Sequence, residues 1–169
     1  MNYALGITCA LIILCGCTNN RKAETMPEKP SVPDLYYDVY IRATPEQVWQ
    51  AIVDPAQVAR YYPCPLREFG QVGGPAIYGN YKTVFIDGKV IDREEEKLLV
   101  HSFRFPESEH ESVVVYMLEL LPDSDITQLV VKHTQFGEDE STYHDVAGTW
   151  GYILSGMKSM LETGKSLNE

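Results

Sequence analysis

The sequence predicts one α+β domain: a curved antiparallel sheet wrapped around a long C-terminal helix, with two short helices after the first strand. Three observations lead there. Two helix-start signals follow a single alternating strand, strand-and-turn patterning fills the middle, and one long amphipathic stripe comes last.

Leu35 to Arg42 alternates Tyr37, Val39 and Ile41 against Asp38 and Arg42, the period of a strand with one buried face. Thr44-Pro45-Glu46-Gln47 then starts a helix: Thr44 can cap, Pro45 suits the first turn, and Gln47 completes a capping box. Val48, Trp49, Ile52 and Val53 form its apolar stripe. Asp54-Pro55 repeats the device and opens a second short helix with Val58, Tyr61 and Tyr62 on one side. From Pro65 the pattern changes to strands and turns. Glycine-rich Gly70–Gly79 holds one or two short irregular strands, and Asp87-Gly88 predicts a hairpin joining Tyr81–Ile86 to Lys89–Arg93. Lys97–Phe105, Ser112–Leu121 and Ile126–Phe136 follow, the last two joined across Pro122-Asp123-Ser124-Asp125.

The last element is a helix from about Ser141 to Thr163. Its stripe is Val146, Trp150, Ile153, Leu154, Met157 and Leu161; Glu138–Glu140 favour its dipole, and Gly164 caps it. Gly148, Gly151 and Gly156 lie inside it, each costing ~1 kcal/mol relative to Ala, so their presence predicts room beside the helix.

The N-terminal residues do not read as core. Tyr3 to Leu14 is an apolar run, short for a bilayer span of ~20 residues but of signal-peptide length. It ends in Leu14-Cys15-Gly16-Cys17, which resembles a bacterial lipobox whose Cys17 thiol takes the diacylglyceryl group and, with it, palmitate-type acyl chains. The organisation expected is therefore a lipoprotein signal peptide over 1–16, a lipidated Cys17 with a polar tether over 17–34, and the folded domain over 35–169. That places the domain in the cell envelope, on the extracytoplasmic side. Cys9 and Cys15 would leave with the signal peptide, so Cys64 is the one thiol of the domain and no internal disulfide is expected.

The formal net charge is -10, while residues 1–20 carry no charge and 21–34 balance. The acidic excess thus sits on the domain, which argues against a nucleic-acid partner and against electrostatic attachment to anionic lipid. Any membrane link must be the covalent anchor.

The element order is that of the helix-grip fold, and the residues resemble a named family. TPEQVWQAIVDPAQVARYY (44–62), GKVIDREEEKLLVHSF (88–103), TQLVVKHTQF (127–136) and TWGYILSGMKSMLETGK (149–165) are similar to the SRPBCC (START/birch-pollen-allergen-like) superfamily, in the branch of the activator of the ninety-kilodalton heat-shock chaperone ATPase. Tyr61 and Phe103 stand where that branch commonly has tryptophan, changes that keep an aromatic ring. The resemblance implies a cavity between the sheet and the last helix.

Alternation puts Leu99, His101 and Phe103 on one strand face, Val114, Tyr116, Leu118 and Leu120 on the next, and Leu129, Val131 and His133 on the last. Tyr61, His101, Phe103, Tyr116, His133, Trp150 and Gly151 are the expected cavity residues, although either histidine alone is more simply a satisfied core residue. The expected function is binding of a small apolar or amphipathic molecule, with the membrane as second partner. The resemblance also implies an alternative, a cofactor-free enzyme acting on an aromatic or polyketide-like substrate, with His101, His133 and Tyr116 as acid–base candidates. A chain that is not exported would instead suit regulation of a chaperone ATPase. Thr163-Gly164-Lys165-Ser166 has no following helix to cradle phosphate, and His144-Asp145 lacks further ligands at metal spacing, so neither a cofactor nor a metal is expected. Cys64, between Pro63 and Pro65, reads as a tolerated half-buried thiol, and the acidic stretches 94–96, 107–111 and 138–140 as solvated loops.

Overall fold

The computed structural model describes residues 32–168, so the signal-peptide and lipidation assignments, Cys17 included, lie outside the described residues. The first strand, β1 (Leu35–Ile41), alternates as its sequence dictates, with Tyr36, Asp38 and Tyr40 outward. Helix α1 (Pro45–Val53) begins with both halves of the capping box: Gln47 N–H donates to Thr44 Oγ1, and Thr44 N–H to Gln47 Oε1 at 2.9 Å. Asp54 caps the single-turn α2 (Pro55–Val58) through the Ala56 N–H.

Three short strands follow, β2 (Leu66–Phe69), β3 (Ala76–Gly79) and β4 (Val84–Ile86), forming a small sheet in that order. Then come β5 (Val90–Glu94), β6 (Leu98–Phe103), β7 (Ser112–Leu120) and β8 (Thr127–Thr134). They join β1 in an antiparallel sheet ordered β1-β8-β7-β6-β5. Helix α3 (Glu140–Thr163) starts at an Asp139 cap and stops at Gly164, whose φ of 79° ends the helix in the left-handed region glycine favours. Its inward stripe, with Val146, Trp150, Ile153, Leu154 and Met157 all buried, packs on the concave sheet face. The architecture is the expected α+β helix-grip fold.

Two expectations change. Asp87-Gly88 is not a hairpin turn, because β4 and β5 belong to different sheets. Asp87 and Arg104 exchange both backbone hydrogen bonds at 2.9 Å, and the Arg104 guanidinium pairs with the Asp87 carboxylate at 2.7 Å. Gly88 is needed for a close approach: a Cβ there would sit 1.9 Å from the Ser102 carbonyl oxygen. A turn dipeptide and a crossing-point glycine look alike in sequence. Leu120, assigned by alternation to the inner face, is 47% exposed because β7 runs past the edge of the core.

Candidate functional site

A cavity of about 250 Å³ opens beside α3. One wall is the helix face of Val146, Thr149, Trp150 and Ile153; opposite stand Tyr62, Cys64, Phe85 and Ile86, with Phe103 and Phe105 at the back. Each wall has a local origin. Spacings of three and four along α3 bring its four residues onto one face. The chain after α2 delivers Tyr62 and Cys64, and Tyr62 is fixed by stacking on Tyr78 at 4.7 Å.

Of the residues expected at the cavity, Phe103 and Trp150 line it. The others occupy different places. His133 lies behind them, completely buried, in a hydrogen-bonded chain that defines its tautomer. Trp150 Nε1 donates to His133 Nδ1 at 3.1 Å, so the ring proton is on Nε2, which donates to Ser112 Oγ at 2.7 Å. The Ser112 hydroxyl in turn donates to the Phe103 carbonyl at 3.1 Å. Burial, with His101 nearby, pushes the imidazole pKa down to about 3. This is a satisfied core histidine that holds a wall residue in place.

His101 is also interior, edge-on to Phe69 at 5.1 Å and stacked near Tyr116 at 6.0 Å. Its Nδ1–H donates to the Ser102 carbonyl at 2.8 Å, whereas Nε2 has no partner. Burial lowers its pKa to about 4. Tyr116 hydrogen-bonds Tyr78 through the phenols, and burial raises its pKa. Neither His101 nor Tyr116 lines the cavity.

Tyr61 is buried against α3 beyond the cavity face, its hydroxyl donating to the Ala51 carbonyl at 2.8 Å. Gly156 accommodates it, since a Cβ at 156 would meet Tyr61 Cβ at 3.3 Å. Gly151 is a correction: it faces solvent, and a Cβ there would meet nothing within 4 Å, as is true of Gly148. The two glycines leave no room inside, because they lie off the buried stripe.

Sequence reasoning missed Phe105, Phe85, Tyr62, Thr149 and Asp145 as cavity residues. One more step of the 99–101–103 alternation reaches Phe105, and one more flank of the α3 stripe, at 145 and 149, reaches the other helix positions. Cys64 is half-buried and free, with burial raising its thiol pKa to about 11, so it contributes a protonated, weakly polar lining atom. Among the described residues no group of three metal-ligating side chains occurs, and no helix is long and apolar enough to cross a membrane.

The chain matches the family described as activator of Hsp90 ATPase homolog 1-like protein over residues 42–162. Among solved structures it is similar to the Aha1 dimer from Colwellia psychrerythraea, at 19% identity and a TM-score of 0.68, over 80% of this chain and 100% of that one. CalU16 from Micromonospora echinospora aligns at 19% identity and a TM-score of 0.64, over 80% of this chain and 78% of that one. DynU16, a protein in the dynemicin biosynthetic locus, aligns at 23% identity and a TM-score of 0.64 over 79% of this chain, which spans 48% of DynU16. At such identities these likenesses establish the fold. No curated protein matches the chain in sequence.

Proposed function

The chain belongs to the family of activator of Hsp90 ATPase homolog 1-like proteins, and from that premise we propose that its domain binds a small apolar or amphipathic molecule, while Cys17 carries a lipid anchor to a membrane. What supports the binding reading is the cavity of about 250 Å³ beside α3, walled by aromatic and aliphatic side chains. The Leu14-Cys15-Gly16-Cys17 stretch supports the anchor, and with it an envelope location facing away from the cytoplasm.

A saturable, one-to-one complex with an environment-sensitive apolar dye is the expected result, lost in Thr149→Trp, which fills the cavity from its half-exposed rim. Unchanged dye binding in that variant would move the site elsewhere.

A second reading, a cofactor-free enzyme on an aromatic or polyketide-like substrate, draws on the likeness to DynU16. It is the weaker one, because His101, His133 and Tyr116 stand behind the cavity wall and no imidazole of the described residues lines the cavity. Turnover that vanishes in His101→Gln with affinity intact would reverse that ranking. Regulation of a chaperone ATPase, the role the family's description names, requires a chain that is not exported.

A further inference from the structure

The binding reading leaves open the chemistry of the ligand's polar end, and the inference below rests on that reading. An apolar cavity selects its occupant through the few polar groups at its rim. Here most of those groups accept hydrogen bonds, and the Tyr62 phenol, which can donate or accept, is the one strong neutral donor among them. Trp150 spends its N–H on His133. The Thr149 hydroxyl gives its proton to the Asp145 carbonyl at 2.7 Å, which leaves lone pairs for a ligand. Cys64 has only a weak S–H. Asp145 is exposed at the rim with a carboxylate, and among the described residues no lysine or arginine lines the cavity.

Phe105 and Asp145 also belong to a second cavity of about 330 Å³, so the two adjoin. The second is polar and carries Glu107, Glu109, Glu138 and Asp139 against a single basic residue, His110. Asp139 is tied down by the Ser108 and Thr142 hydroxyls, both at 2.6 Å. A carboxylate or phosphate head at this junction would lie among like charges with no compensating cation. A protonated amine would find acceptors on every side.

We propose that the site takes a cationic amphiphile, its apolar part in the cavity beside α3 and its ammonium group at Asp145, facing the acidic cavity beyond Phe105. The test measures binding of decylamine, decanol and decanoate to the full chain, each below its micelle-forming concentration, by intrinsic tryptophan fluorescence, to which Trp150 at the wall and Trp49 both contribute. Decylamine is expected to bind at least about tenfold tighter than decanoate, with decanol between them and the gap narrowing as salt rises. Asp145→Asn, at an exposed helix position, is expected to weaken decylamine about fivefold more than it weakens decanol. Decanol binding with decanoate as tight as decylamine, or a decylamine preference untouched by Asp145→Asn, overturns this inference alone. Failure of all three probes overturns the binding reading as well.

Discussion

Lowering the pH from 7 to 5 should destabilise this domain, and the two buried histidines set the size of the effect. An unfolded imidazole titrates near 6.5. In the folded domain burial holds His101 at about 4 and His133 at about 3. Both folded values are depressed, so below pH 6.5 the unfolded chain binds protons that the folded one refuses, and stability falls as pH falls. The contribution is fully present above pH 6.5 and is lost as pH drops towards about 4 for His101 and about 3 for His133. At pH 5, one and a half pH units below the unfolded value, each histidine costs about 2 kcal/mol. Together the two remove on the order of 4 kcal/mol, a large share of a typical 5–15 kcal/mol. The geometry supports this: His101 Nε2 has no partner to receive charge, and His133 Nδ1 already accepts the Trp150 N–H. Urea unfolding at pH 7, 6 and 5, followed by circular dichroism, measures the slope directly. His133→Gln should remove about half of it whatever its effect at pH 7. Stability that stays level between pH 7 and 5, or a slope unaltered in His133→Gln, would refute the reasoning.

Other outcomes follow from single positions. Trp150→Ala removes a buried ring and leaves His133 Nδ1 without its donor, so a loss of ~3–5 kcal/mol is expected in the same unfolding assay. Gly148→Ala and Gly151→Ala should each stabilise by up to ~1 kcal/mol and leave dye binding unchanged, because both positions are helical and open to solvent. Gly88→Ala should cost more than ~1 kcal/mol, since its Cβ collides with the Ser102 carbonyl, and thermal melts will read the difference. Cys17→Ala should abolish incorporation of labelled palmitate in cells; unchanged labelling would end the lipoprotein proposal.

The elements were legible where one local rule governed them. Thr44, Pro45 and Gln47 specify a helix start with no help from the rest of the chain, and β1, β8 and β7 as far as Leu118 follow a period of two because one face is buried. Asp87-Gly88 failed where two causes share a signature, since glycine serves a turn and a tight crossing equally well. The site was less legible than the fold. Inward-facing residues could be read from alternation, but which of them border empty space depends on how far apart the sheet and helix stand. Thus Phe103 and Trp150 reach the cavity while His101, a neighbour on the same strand face, is sealed behind it. The α3 glycines misled for a related reason: a helix has an outer side, and a missing side chain there creates no volume inside.

The chain of hydrogen bonds from Trp150 through His133 and Ser112 to the Phe103 carbonyl runs in one direction only, and this affects the entropy of binding. Every donor in it has its acceptor, so neither the indole nor the imidazole can change rotamer without breaking a buried bond. The Trp150 part of the helix wall is therefore fixed before any ligand arrives, and the indole has little side-chain freedom left to lose. Phe85, at the opposite lip, is 42% exposed and makes no comparable bond to hold it. A guest meets one fixed surface and one adjustable one. Shape selection should fall on the part of the molecule laid against Trp150, while variation in length is absorbed at Phe85.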